Sequence, residues 1–331
     1  MENLQERLLV SFPNQKRSGV QRIFCFANVD ENKKLIRWIR CGATKRADLG
    51  VSGCVVLDDI LHIVIQSKKK PKIVSIDPNN WRILGTYFLK RAKDPHCLVT
   101  HQGKLFLAST GNNSVYSLSI DNNLIVGEEE VWHFPDTSFD QDDVHLNGLI
   151  FINDQMIISA FGRRNKEGNW SKGGVLLNVV TGVPIRDHLE HPHSAQFLNG
   201  LLVFAESNIG MIHLGRLKNK EDFDFLTIKI GGYPRGILIR KDHLIVGQSE
   251  IRQISKSTGI GINVENEDLG SCGLVQIDLK DHTFSKIINL STHGPEIYSV
   301  LDVKCCLPSI EHRPSSFAFF EAAKTFFQRL I

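Results

Sequence analysis

The chain lacks several features that would place it in a simple functional class. No apolar run approaches the roughly 20 residues that cross a bilayer, so no transmembrane segment is expected. The formal net charge of +3 is too small to indicate a nucleic acid or a membrane surface as the partner. The opening residues MENLQERLLVSF contain acidic side chains and no long apolar core, which predicts no secretory signal.

Reactive-site signatures are also scarce. The chain has seven cysteines, an odd number, and no Cys-x-x-Cys pair, so neither a disulfide framework nor a zinc knuckle is indicated. We expect reduced thiols buried in strands of a cytoplasmic protein. No Gly-x-Ser-x-Gly elbow, phosphate loop or dinucleotide fingerprint occurs, which disfavours nucleophilic serine catalysis and nucleotide chemistry.

The chain does contain a recurring unit: a polar residue, an apolar run, a turn pair and a second apolar run. The turn pair follows the leading polar residue at the same offset in all five copies. We call the leading residues the heads; they are Ser52, His96, Asn147, His193 and Arg235. Repeats roughly 40 to 60 residues apart, each opening with a hairpin, are typical of a β-propeller.

The repeat predicts an all-β fold, a six-bladed β-propeller closed by N-terminal strands, over residues 1–308. A sixth head, Glu296, stands without a full blade after it, and apolar N-terminal segments could supply the missing strands and hide the sheet edges. Residues 309–331 are predicted to form an amphipathic helical tail that packs on the propeller or on a second copy in a homo-oligomer. Docking on a membrane surface is the alternative, although Lys324 and Arg329 are the only cations from residue 315 onward.

Equivalent positions in a propeller ring one axis, so the heads predict a site at the channel mouth. His145 lies two residues before Asn147 and should face the same side. Imidazole and carboxylate together suit a divalent transition metal such as Zn, Fe, Mn or Cu. The predicted metal ligands are His96, His145, His193 and Glu296.

Other residues would handle the substrate. Arg235 would repel a bare cation and instead hold a small anionic molecule, and Arg235 and Asn147 are the predicted catalytic residues. Ser249, Arg252 and Trp170 are further candidate substrate contacts. The alternative is that these polar residues are solvated, bonded to backbone or part of turns.

Several short motifs carry a family resemblance: HLNGL at 145–149, PHS at 192–194, PRG at 234–236, VGQSEIR at 246–252 and PEIYSV at 295–300. Together they resemble an uncharacterised bacterial family of propeller-type domains of unknown function. That resemblance implies a fold and no established activity. A looser architectural likeness exists to gluconolactonase and regucalcin propellers, which hold a divalent metal on the axis through carboxylates and amides. This ring is richer in histidine, so lactone hydrolysis is not carried over.

Three functions follow from these patterns. The first is a metal-dependent enzyme acting on a small anionic substrate as a hydrolase, a lyase or isomerase, or an oxygenase. The second is a non-enzymatic propeller that binds partners through its loops. The third is metal-free chemistry with a ring histidine as general base and Arg235 stabilising negative charge.

Overall fold

The computed structural model describes residues 5–13, 24–30, 33–39, 48–67, 70–166, 168, 170, 172–219, 222–250, 271–291 and 294–305. These residues form an all-β structure with two short 3-10 turns, Thr110–Asn112 and Ser207–Ile209. No helix among them is long and apolar enough to cross a membrane. Arg252 and the predicted tail, residues 309–331, lie outside the described ranges.

The strands are short, as is usual for a propeller. In chain order they are β1 (Gln5–Ser11), β2 (Phe24–Asp30), β3 (Lys33–Ile39), β4 (Asp48–Leu57), β5 (Ile60–Ser67), β6 (Lys72–Asp77), β7 (Arg82–Phe88), β8 (Pro95–His101), β9 (Lys104–Ser109), β10 (Ser114–Asp121), β11 (Leu124–His133), β12 (Leu146–Ile152), β13 (Gln155–Ala160), β14 (Gly174–Asn178), β15 (Pro184–Leu189), β16 (Pro192–Leu198), β17 (Leu201–Glu206), β18 (Met211–Leu217), β19 (Phe223–Lys229), β20 (Tyr233–Ile239), β21 (His243–Ser249), β22 (Gly273–Asp278), β23 (Phe284–Asn289) and β24 (Val300–Cys305).

The predicted fold class, a six-bladed propeller with a C-terminal helix, has to be corrected. Five four-stranded blades are each built from consecutive strands, from β4–β7 to β20–β23. The remaining sheet, with order β24-β1-β2-β3, is a composite of both chain ends, because only β24 follows Glu296 in the described part of the chain. Those residues contain no α-helix. The structure is therefore an all-β propeller of five repeat blades joined by one composite sheet.

The composite sheet closes the ring. β1 pairs antiparallel with β24, with Leu9 opposite Leu301. Apolar cores fill the spaces on both sides of this sheet. Leu9 and Val303 pack with Val51 of β4 on one side, and Leu8 packs with Ile245 of β21 on the other. Strands from both ends of the chain thus seal the ring, and the apolar core lies between blades.

The first strand of each repeat blade lines the axis. β4, β8, β12, β16 and β20 contact one another in succession, and β24 lies between β20 and β4. Each of the five first strands is interrupted at its head by a register shift, for example between Leu146 and Gly148 and between Arg235 and Ile237. Such bulges bend the strand and re-aim side chains. The same kind of bulge therefore occurs at the head of every repeat blade.

The residue after the head is small where the next blade approaches closely. A Cβ on Gly53 would lie 2.6 Å from the backbone nitrogen of Leu98 and 2.8 Å from the carbonyl oxygen of His96. Gly236 has φ +67°, which side-chain-bearing residues rarely adopt. Tight packing of neighbouring heads thus requires these glycines.

Candidate functional site

Histidines from three blades meet at the channel. The ring centroids of His96 and His145 are 5.4 Å apart. The ring of Phe161 lies 4.3 Å from that of His145 and 5.0 Å from that of His193. Phe161 also stacks on His191 at 4.2 Å. The sequence-predicted histidines therefore belong to one continuous cluster around Phe161, together with His191.

Backbone hydrogen bonds fix how two head histidines carry their protons. Nδ1 of His96 lies 2.8 Å from the carbonyl oxygen of Asp94, and Nδ1 of His193 lies 3.0 Å from the carbonyl oxygen of His191. A carbonyl only accepts, so Nδ1 is the protonated nitrogen in both rings and Nε2 holds the lone pair. Neither Nε2 has a hydrogen-bond partner among the described residues.

The two hydroxyls that flank these rings support the same assignment. Thr110 and Ser207 each follow their head histidine by fourteen residues, and each hydroxyl lies 2.8 Å from its Nδ1. Each hydroxyl donates its own proton to a backbone carbonyl of the next blade. It can then only accept from the imidazole.

Burial keeps both head histidines neutral. It is the largest factor that lowers the pKa of His193 well below 6.5, and the charge of Arg235 lowers it further. Burial also lowers the pKa of His96, with the charge of Asp94 acting in the opposite direction. The pKa of His191 falls to about 4, again chiefly through burial. These imidazoles are lone-pair donors at neutral pH, not cations.

His145 has a different environment because a carboxylate orients it. Its Nδ1 lies 2.7 Å from Oδ2 of Asp142, and its backbone N–H donates to Oδ1 of the same residue. Burial alone would raise the pKa of Asp142, but the charge and hydrogen bonds of His145 lower it overall, so Asp142 is ionised. The carboxylate directs Nε2 of His145 away from itself and would stabilise an imidazolium.

The backbone is held in a costly conformation beside the heads. Asp94, His145 and His191 each stand two residues before a head, and all three have positive φ, at 45°, 49° and 55°. Non-glycine residues rarely adopt this region, and it is concentrated at functional sites. The same turn brings the carbonyl oxygens of Asp94 and His191 within hydrogen-bonding distance of Nδ1 of the following head histidine.

Arg235 is the one cationic head, and it is almost enclosed. Its side chain is 12% exposed, and its Nε has no hydrogen-bond partner in the described part of the chain. Nη1 lies 3.8 Å from Oε2 of Glu296, too far for a strong charge-assisted hydrogen bond. The guanidinium carbon lies 4.6 Å from the ring centroid of Tyr233 and 6.0 Å from that of Tyr298. The cation is therefore held between aromatic faces, and its Nε donor is unused in the described part of the chain.

Aromatic side chains form the remaining wall. Tyr298, in the segment before β24, reaches the first strand of the third repeat blade, where its hydroxyl donates to the carbonyl oxygen of Asn147 at 3.1 Å. The Tyr233 hydroxyl lies 3.1 Å from Nδ1 of His191, whose Nε2 donates to the carbonyl oxygen of Trp170. The Trp170 ring is 4.9 Å from that of His145, and its buried Nε1 has no partner among the described residues.

Other predicted site residues are engaged in joining blades. The buried amide of Asn147 donates to the Pro192 carbonyl at 2.9 Å and accepts from the Ser159 hydroxyl at 2.8 Å. Ser52 donates to the Pro95 carbonyl at 2.9 Å in the same manner. Ser249 exchanges hydrogen bonds with the backbone of Ile297. Their hydrogen-bonding groups are thus engaged by the protein itself.

The predicted metal ligands do not form a coordinating set. No group of three or more His, Cys, Asp or Glu side chains in the described ranges is arranged to hold a metal ion. Glu296 lies beside Arg235, and each head histidine donates its Nδ1–H to a backbone carbonyl, which leaves Nε2 as the nitrogen that could bind a metal. The described residues thus show no preformed coordinating set, and the metal stays a prediction.

Sequence reasoning missed a second set of site residues: Asp142, Phe161, His191, Tyr233 and Tyr298. Tyr298 lies within the PEIYSV motif, and His191 immediately precedes the PHS motif, so the sequence placed both at or beside the motifs. Phe161 follows its head, Asn147, by fourteen residues. Thr110 and Ser207 follow their own heads by the same number, so this position could have been found from the repeat. Asp142 has no repeat signal.

The sequence matches a known family over most of its length. The family of the domain of unknown function DUF4915 matches residues 80–312, more than half of the chain. The chain belongs to this family. The match spans all the motifs that suggested the resemblance and every head except Ser52. No curated protein matches the chain.

Several solved structures share the architecture of this DUF4915 protein. A protein of unknown function from Bacteroides caccae superposes with a TM-score of 0.61 at 12% identity, covering 91% of this chain and 100% of that one. A chain of a nidogen–laminin complex gives 0.59 at 10%, covering 91% and 100%. A putative 6-phosphogluconolactonase from Bacteroides fragilis gives 0.55 at 12%, covering 90% and 98%. These likenesses establish the fold alone, because the identities are only 10% to 12%.

Proposed function

We propose that the channel site binds a small anionic molecule through Arg235 and that the protein is an enzyme in which His145 moves a proton to or from it. Arg235 would neutralise the negative charge of the ligand or the charge that develops during reaction. Asp142 would orient His145 and stabilise its imidazolium. The reaction class is hydrolysis, or a lyase or isomerase step, which all need a positioned base.

The observation that carries the proposal is the buried Nε of the Arg235 guanidinium, which has no hydrogen-bond partner among the described residues. A buried polar group without a partner costs about 1–3 kcal/mol, and more when it is charged. Proteins retain such groups at sites where a ligand completes the bonding. Glu296 is the carboxylate that faces Arg235 in the described part of the chain, and at 3.8 Å from Nη1 it leaves Nε free for a ligand. A carboxylate is the group that best matches the guanidinium fork.

The assignment of the base to His145 depends on its carboxylate partner. Nδ1 of His145 lies 2.7 Å from a carboxylate oxygen of Asp142, whereas the carboxylate of Asp94 is 3.8 Å from Nδ1 of His96, which bonds to a carbonyl instead. Nδ1 of His193 bonds to a carbonyl and a hydroxyl. The hydrogen bond to Asp142 therefore holds the His145 ring in a fixed orientation, as a proton-transferring histidine requires. A metal-dependent form of the reaction remains the alternative; it would require donors to move into a coordinating set.

Calorimetric titration with small carboxylates tests the binding step. Wild-type protein should bind, Arg235→Met should lose binding at least about 100-fold, and Arg235→Lys should fall between them, because lysine keeps the charge without the fork. Arg216→Met, outside the site on β18, is the control and should bind as wild type does. Equal affinity in wild type and Arg235→Met would contradict the proposal.

A chemical probe tests the role of His145 without knowledge of the substrate. Diethyl pyrocarbonate acylates the unprotonated nitrogen of an accessible imidazole. His145 should be modified in wild type, and a bound carboxylate should protect it. Asp142→Asn should slow the modification, since the amide no longer supports charge on the ring. Modification of His145 at the same rate with and without ligand would contradict its place in the site.

A further inference from the structure

The two head histidines offer acceptors, not donors, to whatever fills the channel. Nδ1–H of His96 and of His193 is committed to a carbonyl and a hydroxyl, so each Nε2 presents a lone pair. The described residues supply no donor to either Nε2. A ligand that carries acceptor groups alone would place its lone pairs against the lone pairs of these two nitrogens and could form no hydrogen bond with them.

Donors and acceptors of the site are close enough for one small molecule. The Tyr233 ring contacts both the guanidinium of Arg235, at 4.6 Å, and the ring of His193, at 5.5 Å. The Tyr298 ring likewise contacts Arg235, at 6.0 Å, and His96, at 5.6 Å. The Arg235 guanidinium and each acceptor histidine therefore contact the same tyrosine ring. A chain of a few carbon atoms can span such a separation.

We infer that the ligand is a hydroxy-carboxylate, whose carboxylate bonds to Arg235 and whose hydroxyls donate to Nε2 of His96 and His193. This inference rests on the proposed function and adds the class of molecule. A hydroxyl is the common group that donates to a neutral imidazole without bringing charge. The buried Nε1 of Trp170, which has no described partner, would bond to a further oxygen of the same molecule.

Two pairs of carboxylates, matched in carbon number and charge, test the inference: glycerate against propanoate, and gluconate against hexanoate. Two hydroxyl–imidazole hydrogen bonds predict that the hydroxylated member of at least one pair binds about tenfold tighter or better to wild type. His193→Phe should remove most of that preference while weaker carboxylate binding persists. His101→Phe, at a ring stacked on Phe151 outside the channel, is the matched control and should keep the preference.

A spectroscopic readout covers the case in which His193→Phe does not fold. In wild-type protein labelled with 15N-histidine, His96 and His193 should each show a protonated Nδ1 and an unprotonated Nε2. Glycerate or gluconate should shift both Nε2 resonances, and propanoate or hexanoate should not.

The outcomes separate this inference from the function beneath it. Equal affinity for both members of each pair, with binding still dependent on Arg235, overturns the inference and leaves the anion site standing. Tighter binding of inorganic phosphate than of any carboxylate also overturns it. Failure of every carboxylate to bind overturns the inference and the proposed function together.

Discussion

Replacing Asn147 by alanine distinguishes a structural amide from a catalytic one. The side chain is 2% exposed and holds the third blade to the fourth through the Pro192 carbonyl, while it accepts from Ser159. Asn147→Ala removes two buried hydrogen bonds, each contributing about 0.5–1.5 kcal/mol net. We expect the free energy of unfolding to fall by about 2 kcal/mol.

Urea denaturation followed by tryptophan fluorescence measures this loss. Ser52→Ala is the graded control, because it removes one hydrogen bond of the same kind, to the Pro95 carbonyl, and should cost about 1 kcal/mol. Both variants should bind carboxylates within about threefold of wild type under conditions where they remain folded. An Asn147→Ala variant of unchanged stability that no longer binds would show that the amide acts on the ligand, and the structural reading would be wrong.

Three further predictions concern stability and composition. Burial lowers the pKa of His62 from 6.5 to about 4. Between pH 6.5 and pH 4 the unfolded state therefore binds a proton that the folded state does not, and the free energy of unfolding falls as the pH drops. In urea melts over this pH range, the His62→Gln variant should lose about 3 kcal/mol less of that free energy than wild type loses. Gly53→Ala should destabilise by more than about 2 kcal/mol, since its Cβ would meet backbone of Leu98 and His96, and a wild-type melting temperature would contradict the packing. Elemental analysis of protein purified without an affinity tag should find less than one equivalent of Zn, Fe, Mn or Cu per chain; a full equivalent would support the metal-dependent alternative.

Much of the site could be predicted because a propeller repeats its geometry. A constant offset from the hairpin turn identified His96, His193 and Arg235, and the structure brings these three to one cluster. The offset holds because every first strand carries a bulge at its head. Periodicity therefore located the positions even though it did not reveal the bulge.

What periodicity could not predict is how each side chain is bonded. Three histidines near an axis suggested a metal, which stays a prediction. The sequence could not show that the carbonyls of Asp94 and His191 engage Nδ1 of the following head histidines, or that the charge of Arg235 lowers the pKa of His193. These contacts arise from left-handed residues and from neighbouring blades, which no local pattern encodes. The five repeat blades follow from the local pattern. The sequence also predicted closure by N-terminal strands, but it did not specify which of them pairs with β24, because that pairing joins residues almost 300 positions apart.

The hydrogen bonding of Arg235 should be completed by a bound carboxylate, and a crystal structure of the protein with glycerate tests this most directly. A carboxylate oxygen should lie within hydrogen-bonding distance of Nε of Arg235, and a hydroxyl within the same range of Nε2 of His193 or His96. Glycerate bound elsewhere, with Nε of Arg235 bonded to a protein group instead, would contradict this prediction.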